Sequence, residues 1–168
     1  MKFWMHSGAL WHKAFLERGQ IMKYSNVVVA GGGVLGSQIA FQAAYCGFNV
    51  TIWLRSEGSI GRCQPKLDHL KEVYHDTITL MDSDEGKTPQ NWAMGISDYE
   101  DFDKEKCLEK ADRAYENIKL ELDLSKAVGD ADLIIESMAE NVEQKIDIYK
   151  KMERNVLLLY MSPFGRNP

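Results

Sequence analysis

The chain has 168 residues, 45% of them hydrophobic and 27% charged, which suits one globular domain with a sizeable core and excludes disordered, collagen-like and disulfide-scaffold classes. Lysine and arginine number 20 against 25 aspartates and glutamates, a net charge of -5, so no general basic surface is left for a phosphate backbone and nucleic acid is not an expected partner. The three cysteines, Cys46, Cys63 and Cys107, lack close pairing, which suggests neither a disulfide framework nor a zinc site and fits a reducing, cytoplasmic setting. No apolar run approaches the roughly 18 to 20 residues of a membrane span, and His6, Ser7, His12 and Lys13 interrupt what would be a signal-peptide core.

At the start of the chain Trp4, Trp11 and Phe15 have helical spacing. Met22, followed by Lys23-Tyr24-Ser25 and an apolar run, is also how a domain of this type begins by itself, so residues 1–21 are expected to be an extension or a translated leader. Residues 22–161 read as the domain, and 162–168 as a tail.

Val27-Val28-Val29-Ala30 is short, β-branched and apolar, as a central parallel strand should be. Leu35, Ile39, Ala43 and Cys46 then recur at helical spacing, with Gly47 as the stop. Asn49 to Leu54 reads as a second strand, completing β-α-β within about 30 residues. Charged helical patterns follow from about Ser59 to Leu80 and from about Asp103 to Asn117, separated by the turn-rich segment 82–89, so a helical hairpin or excursion is expected after strand two. Residues 118–122 alternate as a third strand, 124–128 form a short helical crossover, 131–137 a fourth strand, and Val142, Ile146 and Tyr149 mark one face of another helix. Residues 155–161 read as a further buried strand. Strands alternating with helices imply an α/β fold with a doubly wound parallel sheet.

Gly31-Gly32-Gly33-Val34-Leu35-Gly36 matches G-x-G-x-x-G, and its place between a strand and a helix turns a weak pattern into a strong one. The first glycine allows the tight turn, Gly33 lets the backbone approach a pyrophosphate, and Gly36 lets the helix pack closely on the sheet. Free N–H groups and the positive end of the helix dipole would hold the phosphates, so a nicotinamide dinucleotide is the expected partner. About 20 residues on, an acidic residue normally binds the ribose hydroxyls of NAD. That place is held by Leu54, followed by Arg55 and Ser56. Arg55 could pair with a 2′-phosphate and Ser56 add a hydrogen bond, or Arg55 could be solvated or stack on adenine, which leaves both NAD(H) and NADP(H) open.

These residues resemble the NAD-binding domain of the 3-hydroxyacyl-CoA dehydrogenase family, above all its bacterial 3-hydroxybutyryl-CoA dehydrogenase-like members. The resemblance rests on Val27 to Gly36 with Ser37-Gln38-Ile39-Ala40, on Gly47-Phe48-Asn49-Val50-Thr51, and on Asp130-Ala131-Asp132-Leu133-Ile134-Ile135-Glu136-Ser137-Met138-Ala139-Glu140-Asn141, within about residues 24 to 151. It implies a Rossmann-type fold, NAD(H) as cofactor, oxidation of 3-hydroxyacyl-CoA in fatty acid metabolism, and acyl-CoA as partner of the full-length enzymes. It also implies that Ser137, Glu140 and Lys145 line the nicotinamide side; read alone, Glu140 and Lys145 could be a helix-start charge and a surface cation. Glu136 ends a buried-looking strand and is assigned no cofactor role. Lys66 and Lys71 are the nearest basic candidates for acyl-CoA contacts, though a solvated helix face fits them better.

The family's catalytic histidine, its orienting glutamate and the assisting serine and asparagine have no match here, so no catalytic residue is assigned. The helical substrate and dimerisation domain is expected to be absent, and the chain reads as a truncated member, inactive alone. The alternatives are a cofactor-binding module that pairs with a separate C-terminal partner, and a non-functional remnant. His69 and His75, six apart on a helix, face different sides, the acidic turn at 82–86 does not complete a calcium loop, and no metal is expected. Cys46 and Cys63 read as packing residues.

Overall fold

In a computed structural model, residues 24–138 and 142–153 are described. The elements run β1 (Asn26–Ala30), α1 (Val34–Tyr45), β2 (Asn49–Trp53), α2 (Glu57–Met81), α3 (Lys104–Asn117), β3 (Lys119–Glu121), α4 (Leu124–Val128), β4 (Leu133–Glu136) and α5 (Val142–Glu153). The first 23 residues, the strand expected at 155–161 and the tail lie outside the described residues.

The four strands form one parallel sheet in the order β3-β2-β1-β4. Its period-2 alternation shows why β1 is apolar throughout. Val27 and Val29 point into one core with Val50, Ile52, Leu133 and Ile135, while Val28 and Ala30 point into a second core with Trp53 and Ile134. The first core is closed by α1, α2 and α3 and the second by α4 and α5. Helices therefore cover both faces, as a parallel sheet requires, and the Rossmann-type doubly wound fold read from the sequence is what forms.

Local signals set the boundaries. Helix α1 ends where Gly47, at φ +94, adopts the left-handed conformation. The Gly47 and Phe48 amides donate back to Ala44 and Ala43 carbonyls at 2.9 and 3.1 Å, a Schellman cap that only glycine enters cheaply. Asp103 caps α3 through the Lys106 amide and Asp123 caps α4 through those of Ser125 and Lys126. At the start of β1, one Asp132 carboxylate oxygen accepts the Ser25 and Asn26 amides, both at 2.8 Å, which holds this carboxyl below the usual carboxylate range.

The expected excursion after β2 is a pair of packed helices, α2 and α3. Cys63, Leu67, Leu70, Tyr74, Ile78 and Met81 follow one stripe of α2 into the molecule, enough to carry the helix through Pro65. Outside the core, Lys71 and His75 both reach Asp112 on α3, at 2.8 and 3.0 Å, and the Tyr115 hydroxyl donates to Asp68 at 2.7 Å. Lys71, read from the sequence as part of a solvated helix face, is an interhelical ion-pair partner. Cys63 is a core residue, but Cys46 is exposed, a correction that follows from its place: it is the C-cap of α1, one residue past the buried stripe.

Two outcomes are expected. Ile52, fully buried between β1 and β3 in the sheet, should cost about 2–5 kcal/mol of unfolding free energy in urea when replaced by alanine. The Lys71 ammonium lowers the Asp112 carboxyl below its ordinary range, so its stabilisation is present above that range and lost as pH falls through it. The urea midpoint of Asp112→Asn should lie below that of the natural chain at pH 7 and converge with it in acid.

Candidate functional site

Every strand ends on the same side, and backbone hydrogen bonds continue past the strands to shape that edge. The Gly31 amide donates to the Trp53 carbonyl at 3.0 Å, the Leu54 amide to that of Glu121 at 2.8 Å, and the Ser137 amide to that of Ala30 at 3.0 Å. Between β1 and β4 the strand order changes direction, which opens a crevice at the carboxyl ends where ligands of such sheets bind.

The glycine turn stands at that crevice, and three of its four glycines have separate steric reasons. Gly31 has φ +123, and a side chain there would meet the Ser137 carbonyl oxygen at 2.5 Å. Gly32 lies over the core, where a Cβ would stand 2.6 Å from a Leu54 methyl and 2.7 Å from the Cys63 sulfur. At Gly36 a Cβ would overlap the carbonyl of Gly31. Gly33 differs: nothing lies within 4 Å of a Cβ built there. Packing therefore does not explain Gly33, whereas close approach of a ligand would. Gly33 is also the N-cap of α1 with no side-chain cap, so the first amides of that helix are left for a ligand or water. Val34 and Leu35, in this first turn, are 66% and 62% exposed.

The residues read from the sequence separate into groups. Gly31, Gly32, Gly33, Arg55 and Ser137 line one cleft of about 220 Å³, together with Ser59, Arg62, Lys66 and Met138. Val34, Leu35 and Gly36 form the start of α1 beside it. Ser56 is the N-cap of α2 and holds the Ser59 hydroxyl at 3.1 Å, without itself lining the cleft. Glu140 lies outside the described residues. Lys145 is held at the end of β4, its ammonium 3.2 Å from Glu136.

Glu136 is better placed than the sequence suggested. One carboxylate oxygen accepts the Met138 amide at 2.6 Å, and the other accepts the Tyr149 hydroxyl at 3.1 Å and pairs with Lys145. Both members of the ion pair are largely buried, so the carboxylate fixes the lysine beside the crevice. Ser37, to which the sequence reading assigned no role of its own, is fully buried beneath the turn, its hydroxyl directed at the Gly32 carbonyl and 3.7 Å from the Cys63 sulfur. Burial pushes the Cys63 thiol up, against the Ser37 hydrogen bond and the Lys66 charge, so it remains a protonated packing group.

Among the described residues no set of His, Cys, Asp and Glu is arranged to hold a metal ion, and no helix is long and apolar enough to cross a membrane. His75 is engaged with Asp112 in the groove between α2 and α3, and His69 is exposed near Glu72.

Comparison with known proteins matches residues 73–157, half of the chain, to the family "3-hydroxyacyl-CoA dehydrogenase, NAD binding domain". The match begins within α2 and so does not depend on the glycine turn. A probable 3-hydroxyacyl-CoA dehydrogenase of Caenorhabditis elegans is 25% identical over 135 residues, 80% of this chain and 37% of that protein. Among solved structures, a diketoreductase described as a dual catalyst of dicarbonyl compounds is 33% identical, with a TM-score of 0.57 over 78% of this chain and 38% of its own. The 3-hydroxybutyryl-CoA dehydrogenase of Escherichia coli is similar in fold, with a TM-score of 0.56 at 22% identity over 79% of this chain and 22% of its own. The chain thus spans well under half the length of these relatives.

The turn's geometry gives a direct check on stability. Gly36→Ala forces a methyl into the Gly31 carbonyl and should lower unfolding free energy by about 1–3 kcal/mol, whereas Gly33→Ala, facing open space, should change it by less than about 1 kcal/mol. Thermal melts of the two variants side by side measure the difference.

Proposed function

The chain belongs to the 3-hydroxyacyl-CoA dehydrogenase family, through its NAD-binding domain, and from that membership we propose that it holds the nicotinamide cofactor of an oxidoreductase interconverting 3-hydroxyacyl-CoA and 3-oxoacyl-CoA. The observation that carries this reading is Gly33, the one glycine of the turn that internal packing does not require, set at the uncapped start of α1.

The first amides of α1 bind the pyrophosphate, with the helix dipole favouring its charge. Ser137 and Lys145 face the nicotinamide side, and Glu136 orients Lys145 through their 3.2 Å ion pair. Glu140 completes this group in the family reading. On the adenosine side, Leu54 stands where NAD-binding domains usually place an acid and Arg55 follows it with a cation, so NADP(H) stands beside NAD(H) as cofactor. When bound, the cofactor supplies or accepts the hydride.

By itself the chain is read as a binder without turnover. Neither described histidine lines the cleft, so the group that moves the substrate hydroxyl proton comes from outside the described residues. Exposed Val34 and Leu35 beside the cleft favour, as a second reading, a separately supplied partner that covers them.

Titration of the chain with NADH, followed by cofactor fluorescence, should give saturable binding. Gly33→Ala should weaken it at least about tenfold with the fold intact by circular dichroism. Unchanged affinity in that variant, or no binding by the folded natural chain, would contradict the reading. Acetoacetyl-CoA reduction by the chain alone should be absent.

A further inference from the structure

The side of the cleft formed by β2 and α2 carries an unusual distribution of charge. Three cations line it, Arg55, Arg62 and Lys66, and no acid is among the described residues that do so. Leu54, at the position where a ribose-binding carboxylate would stand, is 3% exposed and packs beneath Gly32. Arg62 and Lys66 are four residues apart on α2, hence on one face, and Ser59 lies one turn before them.

These two cations differ from most others on the α2–α3 hairpin, where Lys110 lies over the Tyr45 ring at 4.6 Å and the rest meet carboxylates. Lys71 is paired with Asp112, Lys87 and Lys104 with Asp82, Lys106 with Asp103 and Arg113 with Glu109. Among the described residues, no carboxylate stands within ion-pair distance of Arg62 or Lys66. Arg62 instead donates to the Ser59 hydroxyl at 3.0 Å, and Lys66 donates to the Arg62 carbonyl. Two cations on one face without an acid, beside Arg55 and a hydroxyl, form a set of donors that a phosphate monoester would satisfy. Arg55 also lines a second, adjoining cleft of about 310 Å³ walled by Trp53, Leu124 and Ile148. That cleft offers apolar surface to a purine next to the cationic one.

We propose that Arg62 and Lys66, with Arg55 and Ser59, form a site for the 2′-phosphate of the cofactor's adenosine ribose, so that the chain selects NADP(H) over NAD(H). This rests on the dinucleotide-binding reading and deepens it. An adenosine 3′-phosphate, as in coenzyme A, shares the same chemistry and is separated from it by experiment.

The test uses the full chain, titrated with NADH and NADPH in parallel, with 2′-AMP and coenzyme A as competitors. NADPH should bind at least about tenfold tighter than NADH, and 2′-AMP should displace it more effectively than coenzyme A. Arg62→Gln and Lys66→Gln should each weaken NADPH about three- to tenfold and together by more, with NADH changed less than about twofold. Arg62→Lys should recover part of the loss. Circular dichroism of each variant reports the fold.

Equal affinity for the two cofactors, a preference that survives in the double variant, or displacement mainly by coenzyme A would overturn the proposal while NADH binding left the dinucleotide reading standing. Failure of both cofactors to bind would overturn the two together.

Discussion

The whole site depends on three backbones meeting at distances that only hydrogen side chains permit. The end of β1, the start of α1 and the residue after β4 converge at Gly31, Gly36 and Ser137, with the Gly31 carbonyl under Gly36 and the Ser137 carbonyl under Gly31. This contact brings the N-terminus of α1 to the crevice at the centre of the sheet. It also places β4 and its Glu136–Lys145 pair beside the same turn. A larger residue at Gly31 or Gly36 would move the helix away from the strand ends and separate the groups.

The contact is held from below by a sheet whose central strand is buried on both faces. Val28, Val29 and Ala30 are each at most 2% exposed, so β1 cannot shift without disturbing both cores. Rigid support matters because a site that binds through backbone amides has no side chains to adjust. The charged hairpin of α2 and α3 plays another part: its pairs with Asp112 and Asp82 are partly exposed and contribute modestly to stability, but its first turns deliver Arg62 and Lys66 to the cleft.

Much of this was legible in the sequence because the signals were local. A β-branched run, three glycines and a helical stripe fix β1, the turn and α1 within about 20 residues, and Gly47 marked the stop that the Schellman cap confirms. The 130–141 segment carried the family resemblance and lies within the span matched to the family. What stayed hidden depended on which way side chains turn after folding. Arg62 and Ser59 are ordinary helix residues by spacing, and only the angle at which α2 leaves β2 brings them over the cleft. Glu136 read as an acid closing a buried strand, and its value as an anchor for Lys145 and Tyr149 required α5 to be in place. Cys46 continued the apolar stripe by count, yet the helix had already ended.

The central claim is that the amides at the start of α1 are a dinucleotide site and not merely a tight connection. Amide chemical-shift mapping of the isotope-labelled chain during addition of NADPH tests it most directly. The expected result is saturable shifts concentrated at Gly32 to Gly36, Arg55 and Ser137, with the α2–α3 groove around His75 and Asp112 unchanged. Shifts centred on that groove, or none in a folded sample at saturating cofactor, would contradict the account.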